Sequence, residues 1–331
     1  MKKSKLARLI AAICCFAMLL TACSSNQTSA ESGGDGSTTA DSEKKVLTYA
    51  IGAETTDLST LYMNNSLYCT SKLVYENLVD FDNGEIVPGL AESWEYNDDQ
   101  TELTFHLRQG VTFHNGEPFN AEAVKTNLEH KQSNPSFYSL KGITDIQEIE
   151  VVDEYTITLH YDHPFYAYLQ DFCWPDVNPM SAPEYIIPGD FQTISGVAGT
   201  GPYIYDEYVA GEYTRFVRNE DYWGETPYWD EIIVKYIPDS TSRLQALQTG
   251  EIDMIYGGTL LTYEEYDQAL AMDGIDGQMA EKDTRVQVIT TNATSPYLSD
   301  IRVRQAIAYA IDKEEMSVAI SNGYEPPADI P

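Results

Sequence analysis

Positive charge is what this chain has least of: 20 lysines and arginines stand against 52 aspartates and glutamates, a formal net charge of −32. A surface of that sign repels phosphate backbones and anionic headgroups, which argues against nucleic-acid binding and polybasic docking to a membrane. At long range it favours cationic ligands without naming one. Long hydrophobic runs are as scarce. The run Leu9 to Leu20 is 12 residues, short of the ~20 that a spanning helix needs. Cysteine is rare too, with five in all. Cys14 and Cys15 fall inside that run and Cys23 just after it, so Cys69 and Cys173 remain for a folded body. Two cysteines so far apart make neither a disulfide framework nor a metal-ligand spacing. Buried free thiols are expected, with a single disulfide as the alternative. No Gly-x-Ser-x-Gly, His-Glu-x-x-His or Cys-x-x-Cys occurs, so the local signatures of serine hydrolases, zinc peptidases and dithiol redox proteins are missing.

What is present begins at the N-terminus. Lys2, Lys3, Lys5 and Arg8 precede the apolar run, and Leu20-Thr21-Ala22-Cys23 follows it. A basic start, a short apolar core and a small-residue cleavage site make residues 1–22 a secretory signal peptide. The tetrad ending in cysteine resembles the bacterial lipobox, which implies lipid on Cys23 and attachment to the extracytoplasmic face of the cell membrane. Ser24 to about Lys45 is Ser, Thr, Gly, Asp and Glu with hardly an apolar residue. Residues 23–45 therefore read as a lipidated N-terminus and flexible linker.

The whole chain is 43% hydrophobic with 24 tyrosines, which fits a body from Val46 onward that buries a core. Val46–Ile51 reads as a strand, and Leu67, Leu73, Val74 and Leu78 suit one face of a helix over 67–79. Asn83-Gly84 marks a hairpin turn. Leu103, Phe105 and Leu107 alternate with polar residues as in a half-buried strand, and Asn120 is placed to cap a helix from Ala121 to Lys131. A hairpin is expected around Asp153-Glu154, a strand beginning at 201–205 and others at 213–217, 232–237, 252–256 and 285–291, and a helix at Ser240–Thr249 closed by Gly250. Asp300 caps a last helix through Ile311. No internal repeat appears, and the irregular mixture predicts an α/β body with several small sheets rather than a barrel.

Five blocks carry a resemblance. Tyr75-Glu76-Asn77-Leu78-Val79 with Val87-Pro88-Gly89-Leu90-Ala91-Glu92-Ser93-Trp94 is the first, and LTFHLRQGVTFHNGEPF over residues 103–119 is the second. The others are Gly199-Thr200-Gly201-Pro202-Tyr203, Arg218-Asn219-Glu220-Asp221-Tyr222-Trp223-Gly224, and the run from Val303 to Lys313. Together they resemble the solute-binding proteins of peptide and nickel ABC transporters, the family 5 extracellular solute-binding lipoproteins. The resemblance implies an α/β fold of periplasmic-binding-protein type II, two-lobed with a hinge. It implies an N-terminal lobe over 46–281, with an inserted subdomain at about 66–190, and the start of a C-terminal lobe at 282–331. Members of the family run well beyond 331 residues, so the second lobe is expected to be incomplete. Residues 237–257 and Phe165 to Gln170 look closest to nickel-binding members. Those relatives often carry an arginine just after the proline matching Pro175, to grip the carboxylates of a metal chelator. Asp176, Val177 and Asn178 stand here instead, which shifts the expected ligand towards short peptides.

The resemblance places Tyr62, Met63, Tyr68, Phe137, Tyr138 and Trp174 on the cleft wall of the first lobe. Aromatic faces and a pliable methionine bind varied ligands, and cationic or chelated ones in particular. Core packing is the competing role for each. Of the five histidines, His106, His114, His130, His160 and His163, His106 lies in a strand, His114 in a turn, and His160 and His163 at a strand end; surface and packing roles are expected rather than a metal site. Gly199-Thr200-Gly201 is followed by Pro202 and a strand, whereas a phosphate cradle needs a helix there. The expected protein is a monomeric binder without cofactor or catalysis, whose partners are a short peptide or metal chelate, an ABC permease and, through lipid, the membrane. A sensory receptor of the same fold is the alternative, and an extracellular hydrolase a more distant one.

Overall fold

The computed structural model describes residues 44–55, 58–60, 69–174, 178–191, 193, 195–257, 260–279 and 288–328. The expected signal peptide, Cys23 and most of the linker fall outside them, as do Tyr62, Met63 and Tyr68.

Strand β1 (Val46–Ile51) opens the body with its last three residues buried. The helix expected over 67–79 is a single turn, α1 (Ser71–Val74). It stops because Tyr75 is extended (φ −118°, ψ 152°) and Val79 already begins the next strand. Strands β2 (Val79–Asp82) and β3 (Glu85–Pro88) form the Asn83-Gly84 hairpin. Both turn residues have positive φ, 51° and 87°, the geometry whose twist matches the flanking strands. Next come β4 (Ala91–Tyr96) and β5 (Glu102–Leu107), the latter burying Leu103, Phe105 and Leu107 as its alternation requires. Helix α2 (Ala121–Ser133) starts where Asn120 accepts a hydrogen bond from the Ala123 amide, satisfying a donor the helix cannot. A short α3 (Lys141–Thr144) leads to β6 (Ile146–Asp153) and β7 (Thr156–Tyr161), joined at Glu154-Tyr155.

These elements make an antiparallel sheet in the order β4-β5-β7-β6. The largest apolar cluster unites Phe105, Ile157 and Leu159 of that sheet with Val124 and Leu128 of α2 and with Phe172. The sheet's opposite face is polar, with Thr104 and Thr158 hydroxyls 2.8 Å apart between His106 and His160.

The second sheet draws on distant parts of the chain. Strands β8 (Tyr203–Val209) and β9 (Tyr213–Arg218) pair antiparallel, and β10 (Glu231–Tyr236) adds to β9. Strand β10 then runs parallel to β1 in register Val46 to Glu231. Helix α4 (Ser240–Thr249) begins at the Asp239 cap and ends at Gly250, whose φ of 72° suits a left-handed stop. It packs Ala246 on Ala50 of β1. Of the strand expected over 252–256 only β11 (Met254–Ile255) pairs, giving the order β11-β1-β10-β9-β8.

Three further helices follow, α5 (Tyr263–Leu270), α6 (Ile301–Ala310) and α7 (Lys313–Ser321). Thr262 and Glu265 form a reciprocal capping box at α5, and Asp300 and Asp312 cap α6 and α7. The sequence reading anticipates α6 but neither α5 nor α7. No side chain of α6 is buried, and Ile301, Val303, Ile307 and Tyr309 face outward. The strand expected over 285–291 lies partly outside the described residues, and 288–291 are not in a strand.

Candidate functional site

Three of the five sequence blocks meet at one side chain, and a fourth joins them through its neighbours. Glu76 follows α1, and its largely buried carboxylate collects three donors from segments more than a hundred residues further along the chain. Oε2 accepts from Thr200 Oγ1 at 2.8 Å and from Trp223 Nε1 at 2.7 Å, and Oε1 accepts from the Tyr222 hydroxyl at 2.8 Å. Its backbone carbonyl takes the Met180 amide at 3.0 Å. Burial raises the Glu76 pKa, the three hydrogen bonds pull it back down, and nearby Asp80 adds a small push upward.

The glycines of the 199–201 block serve close approach. A Cβ on Gly199 would lie 2.0 Å from the Val74 carbonyl oxygen, and one on Gly201 2.7 Å from the same atom. The Gly201 amide donates to that carbonyl at 2.9 Å, so the end of α1 is satisfied by backbone that only glycine lets in. His114 of the second block donates its backbone amide to Gly199 O at 2.8 Å. Its ring Nε2 lies 2.9 Å from Gly201 O; a carbonyl can only accept, so Nε2 carries the proton. Burial lowers the His114 pKa and keeps the ring neutral. Arg108 closes the knot, its guanidinium donating to Gly89 O and lying 4.3 Å from the Trp223 ring centre. These blocks are therefore the framework that fixes the β4-β5-β7-β6 sheet to the β1-containing sheet. The fifth block lies on exposed α6 and the residues after it.

Beside the knot is a hollow lined by Leu58, Ser59, Thr60, Tyr75, Ser181 and Tyr185. The Tyr75 hydroxyl holds Leu58 O at 2.7 Å across its floor. Its cavity volume of ≈ 10 Å³ holds about one water, far below the roughly 300–1,000 Å³ of a small-molecule pocket. Among the described residues it is a shallow wall and not a pocket that holds a ligand. Hydroxyls dominate that wall, and hydroxyls both donate to and accept from polar ligand groups. Thr60 is two residues before Tyr62 in the chain.

The expected wall residues separate in the structure. Phe137 is fully buried in the main cluster and offers no surface to a ligand; it ends the turn Pro135–Phe137 and packs inward. Tyr138, the next residue, is 74% exposed, and Trp174 is 52% exposed. Both are free to meet a ligand. Tyr62, Met63, Tyr68 and the lipidation residue Cys23 lie outside the described residues. Ser59, Thr60, Ser181 and Tyr185 were not anticipated, because lone hydroxyls in loops carry no pattern. Glu76, Thr200 and Trp223 stand within quoted blocks, yet their convergence has no local signal.

Among the described residues no group of three or more His, Cys, Asp or Glu is placed to hold a metal ion. His160 instead bridges Glu102 and Glu150 on the polar sheet face, at 3.5 and 3.0 Å. Cys173 is a buried free thiol, its pKa pushed up to about 12, chiefly by burial. Cys69 is also free but only half-buried, a correction to the expected burial. Its Sγ lies 3.7 Å from Tyr256 O.

The pattern of the bacterial extracellular solute-binding proteins, family 5 (middle), matches residues 85–331. The nickel-binding periplasmic protein of Escherichia coli (strain K12) is 32% identical over 265 residues, covering 77% of this chain and 49% of that protein. The crystal structure of NikA from Brucella suis in complex with Fe(III)-EDTA superposes with a TM-score of 0.77 at 32% identity, covering 84% of this chain and 56% of that one. The DppA periplasmic binding protein of Helicobacter pylori in complex with peptide STSA gives 0.67 at 26% identity, covering 84% and 59%. The chain thus spans about half the length of the relatives it matches.

Proposed function

This chain belongs to the bacterial extracellular solute-binding proteins, family 5, and from that premise we propose that it captures a small solute outside the cell and delivers it to an ABC permease. The ligand is a short peptide or a metal chelate. The observation that carries this reading is the Glu76 knot, in which four family blocks interlock as one rigid framework beside a hydroxyl-lined wall. A framework tied together by these buried hydrogen bonds holds a ligand wall still. Capture then follows from closure of two lobes over the ligand, which buries it and pairs its polar groups with fixed partners.

Relatives named for nickel and crystallised with Fe(III)-EDTA support the chelate arm, and the relative crystallised with a peptide supports the other. The absence of arginine after Pro175 favours peptides. The N-terminal lobe is read as 46–281 and the second lobe as beginning at 282. Lipid on Cys23, after release of residues 1–22, holds the protein at the outer face of the membrane, with 23–45 as a tether. Uptake of a labelled short peptide and of labelled nickel by cells with and without the gene tests the proposal. Loss of either uptake on deletion supports it. Unchanged uptake of both, with intact import after deletion, contradicts it.

A further inference from the structure

A second buried polar cluster lies apart from the Glu76 knot. Lys131, near the end of α2, is 1% exposed. Its Nζ donates to Asn178 Oδ1 at 3.0 Å and to Pro179 O at 2.6 Å. One turn earlier Asn127, also 1% exposed, donates to Ser181 O at 2.8 Å and accepts from the Ser181 amide at 2.9 Å. Residues four apart share a helix face, so two side chains of α2 grip both ends of 178–181. The opposite side of that stretch is fixed by backbone, Met180 N to Glu76 O and Ala182 N to Ala198 O. At its head the Asn178 amide donates to Trp174 O at 2.9 Å. The half-exposed Trp174 is therefore carried by a strap whose grip is Lys131.

Both acceptors of Lys131 are neutral. The charged and titratable groups on the elements around it are engaged elsewhere. The His130 ring lies tilted against Phe191, with ring centres 5.0 Å apart. The Asp171 carboxylate takes the Gly142 amide at 2.7 Å, and the Cys173 thiol faces Leu169 O at 3.7 Å. The Glu184 carboxylate takes Asn115 Nδ2 at 3.1 Å, and Glu76 is held in its own knot. An ammonium without a counter-charge is costly in an interior, whereas a neutral amine keeps donors enough for Asn178 and Pro179. Burial accordingly lowers the Lys131 pKa from 10.5 to about 7.

We propose that Lys131 and Asn127 clamp residues 178–181 to position Trp174, and that the clamp tightens as Lys131 gives up its proton. The coupling to ligand rests on the reading of Trp174 as part of the ligand wall. The sign follows from proton binding. Between about 7 and 10.5 the unfolded or opened chain holds a proton on Lys131 that the closed chain does not. Closure is therefore favoured progressively as pH rises through that window, and it is weakest below 7.

The test uses the folded protein with isotope-labelled lysine and 5-fluorotryptophan. NMR follows the Lys131 side chain, assigned by its loss in K131M, and Trp174, assigned by its loss in W174F. The Lys131 signal is expected to titrate near pH 7 and the Trp174 signal to move with the same midpoint. That movement is expected to vanish in K131M or, should K131M fold poorly, in K131Q. Titration of Lys131 near pH 10 would overturn the clamp, as would a Trp174 signal indifferent to Lys131. Neither readout needs a ligand. A W174F variant that binds peptide or nickel–histidine as well as the parent would remove Trp174 from the ligand wall while the clamp stood on its own two signals.

Discussion

The Glu76 carboxylate accepts the indole proton of Trp223 at 2.7 Å across 147 residues of chain. Thr200 shares the same oxygen and Tyr222 takes the other, so one acidic side chain joins the segment after α1 to both ends of the β8-β9 hairpin. Replacing it by alanine leaves three donors without their acceptor. Glu76→Ala is expected to lose about 3 kcal/mol of unfolding free energy, since a buried unsatisfied donor costs about 1–3 kcal/mol. Glu76→Gln keeps one acceptor oxygen and, because a hydroxyl can reverse, is expected to lose under ~1.5 kcal/mol. Urea unfolding of the two variants checks the difference.

The same carboxylate gives the body a pH dependence. Burial lifts its pKa above the ordinary 4.5. Between 4.5 and the raised value the folded chain holds a proton that the unfolded chain has lost. This contribution to stability is present in full below the ordinary value and fades as pH rises through the raised one. Urea midpoints between pH 4 and 7 should show the slope in the parent and not in Glu76→Gln.

Two glycine substitutions separate lack of space from backbone strain. Gly199→Ala puts a methyl 2.0 Å from the Val74 carbonyl oxygen, against backbone that cannot move aside. It is expected to lose more than about 4 kcal/mol. Gly110 has φ 74° and nothing within 4 Å of a built Cβ, so Gly110→Ala carries only the strain of a left-handed residue, about 1–2 kcal/mol. Thermal unfolding of both variants reads the gap.

Local chemistry explains what could be read from the sequence. Asn83-Gly84, the caps at Asn120 and Asp300, and the stop at Gly250 each depend on a few neighbouring residues. All four appear as expected. The helix expected over 67–79 is different. Leu73, Val74 and Leu78 have helical spacing, but the chain leaves the helix at Tyr75, where Gly199 and Gly201 press against Val74. That contact spans more than a hundred residues and has no local trace. Phe137 and Tyr138 show the same limit at finer scale. Adjacent aromatics look alike in sequence, and only the turn Pro135–Phe137 decides that the first goes inward and the second outward. The partners of Glu76 and Lys131 are likewise long-range, so their roles emerge only in three dimensions.

Membrane attachment has a simple test. Cys23→Ala removes the only lipid acceptor the N-terminal tetrad offers, and one short apolar run does not span a bilayer. The variant is expected to leave the membrane fraction, with the parent retained there and labelled by a fatty-acid analogue. Equal membrane retention without label would remove the lipid from Cys23.

The most direct test of solute capture is a thermal shift on the protein as its host makes it, purified from membranes. The probes are a panel of short peptides, nickel alone, and nickel with histidine. A ligand at 100 times its Kd contributes ~2.7 kcal/mol to the folded state, a shift of roughly 5 °C or more in a body of this size. The predicted result is a saturable rise with peptides or with nickel–histidine, the ligand recovered unchanged, and the rise reduced in Trp174→Ala. No shift with any probe, or conversion of the probe to product, would contradict capture as the function of this chain.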